Sequence, residues 1–142
     1  MTTHAFRVRE LDHVVLRARD FEALVKFYVE VLGCPVERRL DDFGLAQLRA
    51  GRSLIDVVDA TGKLGALGGA APGDEGRNLD HFCLRVEPWE PEAIRADLES
   101  RGVATSDVAS RYGAEGYGPS LYVTDPEGNT IELRGPPDPT PS

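Results

Sequence analysis

The feature that most constrains this fold is a repeat. Residues 11–18 read L-D-H-V-V-L-R-A and residues 79–86 read L-D-H-F-C-L-R-V, five identities in eight positions. His81 follows His13 by 68 residues, and Gly102 follows Gly33 by 69. A period this long exceeds that of a solenoid unit, so the two copies are expected to pair into one pseudo-symmetric object rather than stack into an array.

Each copy predicts the same run of elements. Residues 11–18 read as a strand, in which His13, Val15 and Arg17 share one face while Val14 and Leu16 share the other. Asp20 then serves as an N-cap, and Phe21, Leu24, Val25, Phe27, Tyr28, Val31 and Leu32 recur at helical spacing until Gly33 stops the run. Strands are expected over 35–40, 44–50 and 53–59, with Gly51 and Arg52 at a tight turn. The second copy predicts a strand over 79–86 and a helix over 89–101 with Pro91 near its first turn. A weak strand over 103–108 and a glycine-rich loop over 109–119 follow. A hairpin closes the copy, its strands 121–124 and 130–133 flanking the turn formers D-P-E-G-N. Leu54, Ile55 and Asp56 align with Thr130, Ile131 and Glu132 at an offset of 76. The chain is two βαβββ units. Between them, residues 61–76, rich in Gly and Ala, read as a flexible connection or a loop that closes over something.

The chain has 142 residues, enough for one domain with a continuous core. Sixteen basic against 24 acidic side chains give a formal charge of -8, which disfavours nucleic acid and suits a cationic or neutral ligand. Apolar runs fall far short of the roughly 18 residues of a membrane span, and the start M-T-T-H-A-F-R has no apolar leader pattern, so a cytoplasmic location is expected. His4 in that lead-in reads as a solvated residue. Cys34 and Cys83 match no zinc or redox spacing and read as reduced thiols.

Duplication equates His13 with His81 and Asp56 with Glu132. Two neutral imidazoles and a carboxylate on rigid strands bind a divalent transition metal on one side and leave positions open on the other, which means catalysis or ligand binding. Cys83 shares the face of His81 as a buried, inert thiol. Arg17 and Arg85, also equivalent, attract an anionic substrate group at the rim or pair with nearby Asp and Glu.

The segments L-D-H, F-Y-V-E-V-L-G and D-P-E-G-N-T-I-E, in this order, resemble the vicinal oxygen chelate superfamily. That superfamily includes glyoxalase I, extradiol dioxygenases, fosfomycin resistance enzymes, methylmalonyl-CoA epimerase and bleomycin resistance proteins. The likeness runs from about residue 9 to residue 135. It implies an α+β fold in which the two tandem βαβββ modules, about 9–60 and 77–135, form an incomplete β-barrel, followed by a disordered Pro-rich tail over 136–142.

The resemblance also implies a ligand set. His13, His81 and Glu132 match the family's metal ligands, and one divalent ion (Fe, Ni, Zn or Mn) is expected per site. Asp56 stands where glyoxalase-like members carry a fourth carboxylate, usually Glu; one methylene shorter, it is a ligand, a water-mediated neighbour or the proton acceptor. Tyr122, ten residues before Glu132 in L-Y-x-x-D-P-x-G-x-x-x-E, matches a tyrosine of extradiol dioxygenases and is expected to be a hydrogen-bond donor or general acid. The histidine that this signature places shortly before the tyrosine is missing from 111–119, which favours glyoxalase-like lyase or isomerase chemistry over ring cleavage. The expected partner is a small oxygen-chelating substrate, and the expected assembly is a homodimer. A metal-free drug- or metabolite-binding protein is the reading from another class.

Overall fold

The computed structural model describes residues 4–139 except 6 and 78. The chain divides into two compact units, Met1–Ala71 and Pro72–Ser142, and each contains one βαβββ run. The first comprises β1 (His13–Ala18), helix α1 (Phe21–Lys26) continued by a π-helical turn (Phe27–Val31), β2 (Val36–Leu40), β3 (Leu45–Ala50) and β4 (Ser53–Asp59). The second comprises β5 (His81–Arg85), α2 (Pro91–Ser100), β6 (Ala109–Gly113), β7 (Gly116–Thr124) and β8 (Thr130–Arg134). The strands form two four-stranded sheets, one in each unit, ordered β1-β4-β3-β2 and β5-β8-β7-β6. This is an α+β architecture, with one parallel pairing in each sheet and antiparallel pairing elsewhere.

The sheets repeat in register as well as in order. His13 pairs with Leu54 and Val15 with Asp56 across β1 and β4. His81 pairs with Thr130 and Cys83 with Glu132 across β5 and β8. The carboxylate therefore lies in both units on the strand beside its histidine, displaced by two residues and on the same face.

In the first unit Asp20 caps α1, its side chain accepting from the Ala23 amide at 3.1 Å, and Gly33, at φ 74°, ends the helical run. Leu24, Val25 and Tyr28 on this helix join Leu16, Ala18, Leu48, Ile55 and Val57 in a buried core. The second core gathers Leu98 of α2 with Leu121, Val123, Ile131 and Leu133. Burying each such Leu or Ile contributes about 1.5–3 kcal/mol. Period-2 alternation puts the polar residues on the other sheet face, which in the first unit also carries Val15, Leu45 and Val58.

Two stretches differ from expectation. Residues 103–108 form no strand and 109–119 are not a loop; β6 and β7 occupy the latter as a hairpin, with Tyr112 paired to Tyr117. Its glycines are there to leave room. A Cβ at Gly113 would collide with the Arg134 guanidinium, and one at Gly118 would lie 2.8 Å from the Pro136 carbonyl oxygen. The connection 61–76 is likewise not a free linker over its first half. Arg17 donates to the carbonyls of Gly65, Gly69 and Ala70 at 2.6–3.1 Å, folding a 3-10 turn (Gly65–Gly68) back onto the first unit. Gly65 is buried so close to Asp59 and Ala60 that no side chain fits there. Of the tail, the Asp138 amide donates to the Tyr117 carbonyl at 2.6 Å; residues 140–142 lie outside the described part.

Candidate functional site

The polar face of the second sheet is built around Glu132. Pairing across β5, β8 and β7 sets Cys83, Glu132 and Tyr122 in one row, because Cys83 is opposite Glu132 and Glu132 is opposite Tyr122. One residue pair further along, His81 brings Nε2 to 3.3 Å from Glu132 Oε1, and its ring meets the Tyr122 ring edge-on at 5.7 Å between centroids. Two ligands of one transition-metal ion, each about 2.1 Å from it, lie about 3 Å apart, so this pair is spaced to share one. The Glu132 side chain is 7% exposed, and Arg134 Nη1 lies 3.9 Å from its other oxygen. Arg111 stacks its guanidinium 4.4 Å over the Tyr122 ring while donating to the Ser120 carbonyl and hydroxyl. Cys83, expected to be buried, is exposed; its thiol is still pushed up to about 11, by partial desolvation first and by the Glu132 charge second.

The aspartates inside L-D-H orient the histidines. Asp80 Oδ2 lies 2.8 Å from His81 Nδ1, and Asp12 Oδ2 lies 2.7 Å from His13 Nδ1. A carboxylate on Nδ1 fixes the proton there and leaves the Nε2 lone pair as the free donor atom, the arrangement that metal-ligating histidines use. The Asp12 hydrogen bond raises the His13 pKa above its ordinary 6.5, opposed by desolvation and assisted by the Asp56 charge.

On the first sheet, His13 and Asp56 occupy the equivalent face. Asp56 is 4% exposed. Its Oδ2 accepts from Gln47 Nε2 at 3.1 Å, and Gln47 Oε1 accepts from Arg38 Nε at 2.8 Å. Oδ1 has no hydrogen-bond partner among the described residues. Asp56 also lines a cavity of about 430 Å³ within this unit.

The structure therefore brings His81, Glu132 and Tyr122 onto one face of the second unit and puts His13 and Asp56 together on the matching face of the first. Among the described residues, neither unit by itself gathers three His, Cys, Asp or Glu side chains that could hold a metal. Arg17 and Arg85 hold protein groups: Arg17 the Gly-rich segment, Arg85 the Glu115 carboxylate at 2.9 Å. Asp12 and Asp80 were unassigned from sequence, although their signal was present in the duplicated L-D-H. The hairpin turn D-P-E-G-N is structural, with Asp125 Oδ1 accepting from the Glu127 and Asn129 amides at 2.9 Å.

Residues 10–133 match the sequence model of the Glyoxalase/Bleomycin resistance protein/Dioxygenase superfamily. The chain belongs to this superfamily. Solved structures share the fold of this superfamily member at low identity. An integron cassette protein from the V. cholerae mobile metagenome is 24% identical with a TM-score of 0.74, covering 93% of this chain and 98% of its own. A lactoylglutathione lyase from Agrobacterium tumefaciens is 21% identical with a TM-score of 0.64, covering 89% and 92%. The fosfomycin resistance protein FosX from Listeria monocytogenes is 16% identical with a TM-score of 0.66, covering 91% and 94%. Many superfamily members are enzymes and some are not. Among the described residues of this one, no helix is long and apolar enough to cross a membrane.

Proposed function

We propose that this superfamily member is a divalent-metal-dependent enzyme acting on a small oxygen-chelating organic substrate, by lyase or isomerase chemistry of the glyoxalase kind. His13, His81 and Glu132 are the ligands. The observation that carries this reading is the 3.3 Å approach of His81 Nε2 to Glu132 Oε1 with the Nδ1 atom of each histidine engaged by its preceding aspartate. A bound Fe, Ni, Zn or Mn ion supplies Lewis-acid polarisation of substrate oxygens.

The chain's own groups supply the rest. Tyr122, held between the His81 edge and the Arg111 guanidinium, donates a hydrogen bond or proton to a substrate oxygen. Asp56, with one free oxygen, accepts a proton or serves as a fourth ligand. Arg111 occupies the face of Tyr122, and the absence of a histidine from 111–119 is what favours this chemistry over ring cleavage. The active assembly is a homodimer, which sedimentation at micromolar concentration tests; monomer alone would count against it.

Tyr122→Phe is the test of the chemistry. On a panel of hemithioacetals, α-keto aldehydes and catechols, the wild type should turn over a keto or hemithioacetal substrate without oxygen. The variant should keep its metal and lose roughly 10²-fold in turnover. Fe(II)-dependent oxygen uptake on a catechol would replace this reading by the dioxygenase, and an unchanged rate in the variant would remove Tyr122 from the mechanism.

A further inference from the structure

The cavity of the first unit has a built wall and an unsatisfied anion. Its lining includes Val15, Leu45, Val58 and Leu64 as apolar contacts, together with Arg17 and Asp56. Arg17 is not available to a ligand there: four of its hydrogen bonds already go to the carbonyls of Gly65, Gly69 and Ala70, and a Cβ at Gly68 would lie 2.5 Å from its Nε. The clamp thus turns a glycine-rich segment into the side of the cavity that carries Leu64, while the guanidinium is consumed in holding it. Asp56 is the opposite case. It is 4% exposed, its Oδ2 is fixed by Gln47, and its Oδ1 is without a partner among the described residues. A buried carboxylate oxygen left unpaired is a standing cost that a donor relieves.

We propose that this cavity binds a small primary amine with an apolar body, its ammonium donating to Asp56 Oδ1 and its hydrocarbon portion lying against Val15, Leu45, Val58 and Leu64. About 430 Å³ is within the range that small-molecule sites occupy. An ammonium is preferred to a hydroxyl because it brings a full charge opposite to that of the carboxylate where a hydroxyl brings only a dipole, and the chain's formal charge of -8 concentrates cations around it. An anion is rejected, since Arg17, the only cation among the described lining residues, is committed to backbone carbonyls. The cavity lining belongs to the first unit and includes neither His81 nor Glu132; it shares only Asp56 with the proposed function, so binding to chelator-treated protein and to His81→Ala separates this proposal from the metal reading.

The test is calorimetric titration of chelator-treated wild type and of His81→Ala with benzylamine, benzyl alcohol and benzoate. Benzylamine should bind both proteins alike and at least about tenfold more tightly than the alcohol, with benzoate showing no binding. Asp56→Asn, which keeps the shape and can still accept from Gln47, should weaken benzylamine at least about tenfold and the alcohol less than about threefold. Gly68→Val, which forces the Arg17 clamp apart, should weaken both equally. Equal affinity for amine and alcohol, benzylamine binding untouched by Asp56→Asn, or binding lost in His81→Ala would each overturn the proposal.

Discussion

Replacing Glu132 by Gln separates the structural role of this carboxylate from its place in the metal reading. Glu132 and Arg134 are neighbours on one face of β8, with side chains 7% and 6% exposed and Nη1 3.9 Å from Oε2. At that separation two unit charges attract by about 4 kcal/mol at an effective dielectric of about 20. Both ions lost their water on folding, and removing one partner of such a pair typically costs about 3–5 kcal/mol. Here Arg134 keeps the Arg111 and Gly116 carbonyls, at 3.3 and 2.9 Å, so the expected cost falls to about 2–3 kcal/mol. Urea unfolding of metal-free protein at neutral pH should show the midpoint of Glu132→Gln lower by about 1 M, for a slope near about 2 kcal/mol/M. In a double-mutant cycle with Arg134→Met the two losses should be less than additive by about 2 kcal/mol. A midpoint equal to or above that of the wild type would refute the reasoning, because it would mean that the carbonyls alone satisfy Arg134.

Three further outcomes follow from particular contacts. Gly113→Ala should destabilise the chain by about 1–3 kcal/mol, because its Cβ displaces the Arg134 guanidinium; a melting temperature within about 1 °C of wild type would contradict this. The His13 imidazole should titrate above 6.5 by NMR and shift down in Asp12→Asn. Since the folded chain holds that proton more tightly than the unfolded one, the contact favours folding below the unfolded value and fades as pH rises through the raised folded one; a midpoint unchanged by Asp12→Asn would sink the assignment. Cys83, with its thiol at about 11, should react slowly with iodoacetamide at pH about 7.5 and faster as pH approaches that value, and fast modification at neutral pH would show a thiolate that the site does not favour.

How much could be read from the chain alone follows from how local each signal is. The equivalence of His13 with His81 and of Asp56 with Glu132 was legible in the repeat, at offsets of 68 and 76, whereas the parallel pairing that sets each carboxylate two residues from its histidine is seen only in the sheet register. The Asp20 cap and the D-P-E-G-N turn are interactions within five residues, and both were legible. The β6–β7 hairpin was not, because its glycines look like loop residues until Arg134, distant in sequence, is seen to fill the space beside them. The same holds for the segment clamped by Arg17, whose acceptors lie 48–53 residues away. Asp12 and Asp80 stood in the duplicated motif, yet their role depends on ring orientation, which strand alternation does not specify. The unpaired Oδ1 of Asp56 is a property of its surroundings and has no signature in the sequence.

The central claim is that His13, His81 and Glu132 hold one divalent ion, and elemental analysis of protein purified without chelators tests it most directly. The account predicts one equivalent of Fe, Ni, Zn or Mn per site in the wild type, lost in His13→Ala, His81→Ala and Glu132→Ala while each variant keeps its folded circular dichroism. Full occupancy in all three variants, or a wild type that takes up none of these ions when they are supplied, would contradict it.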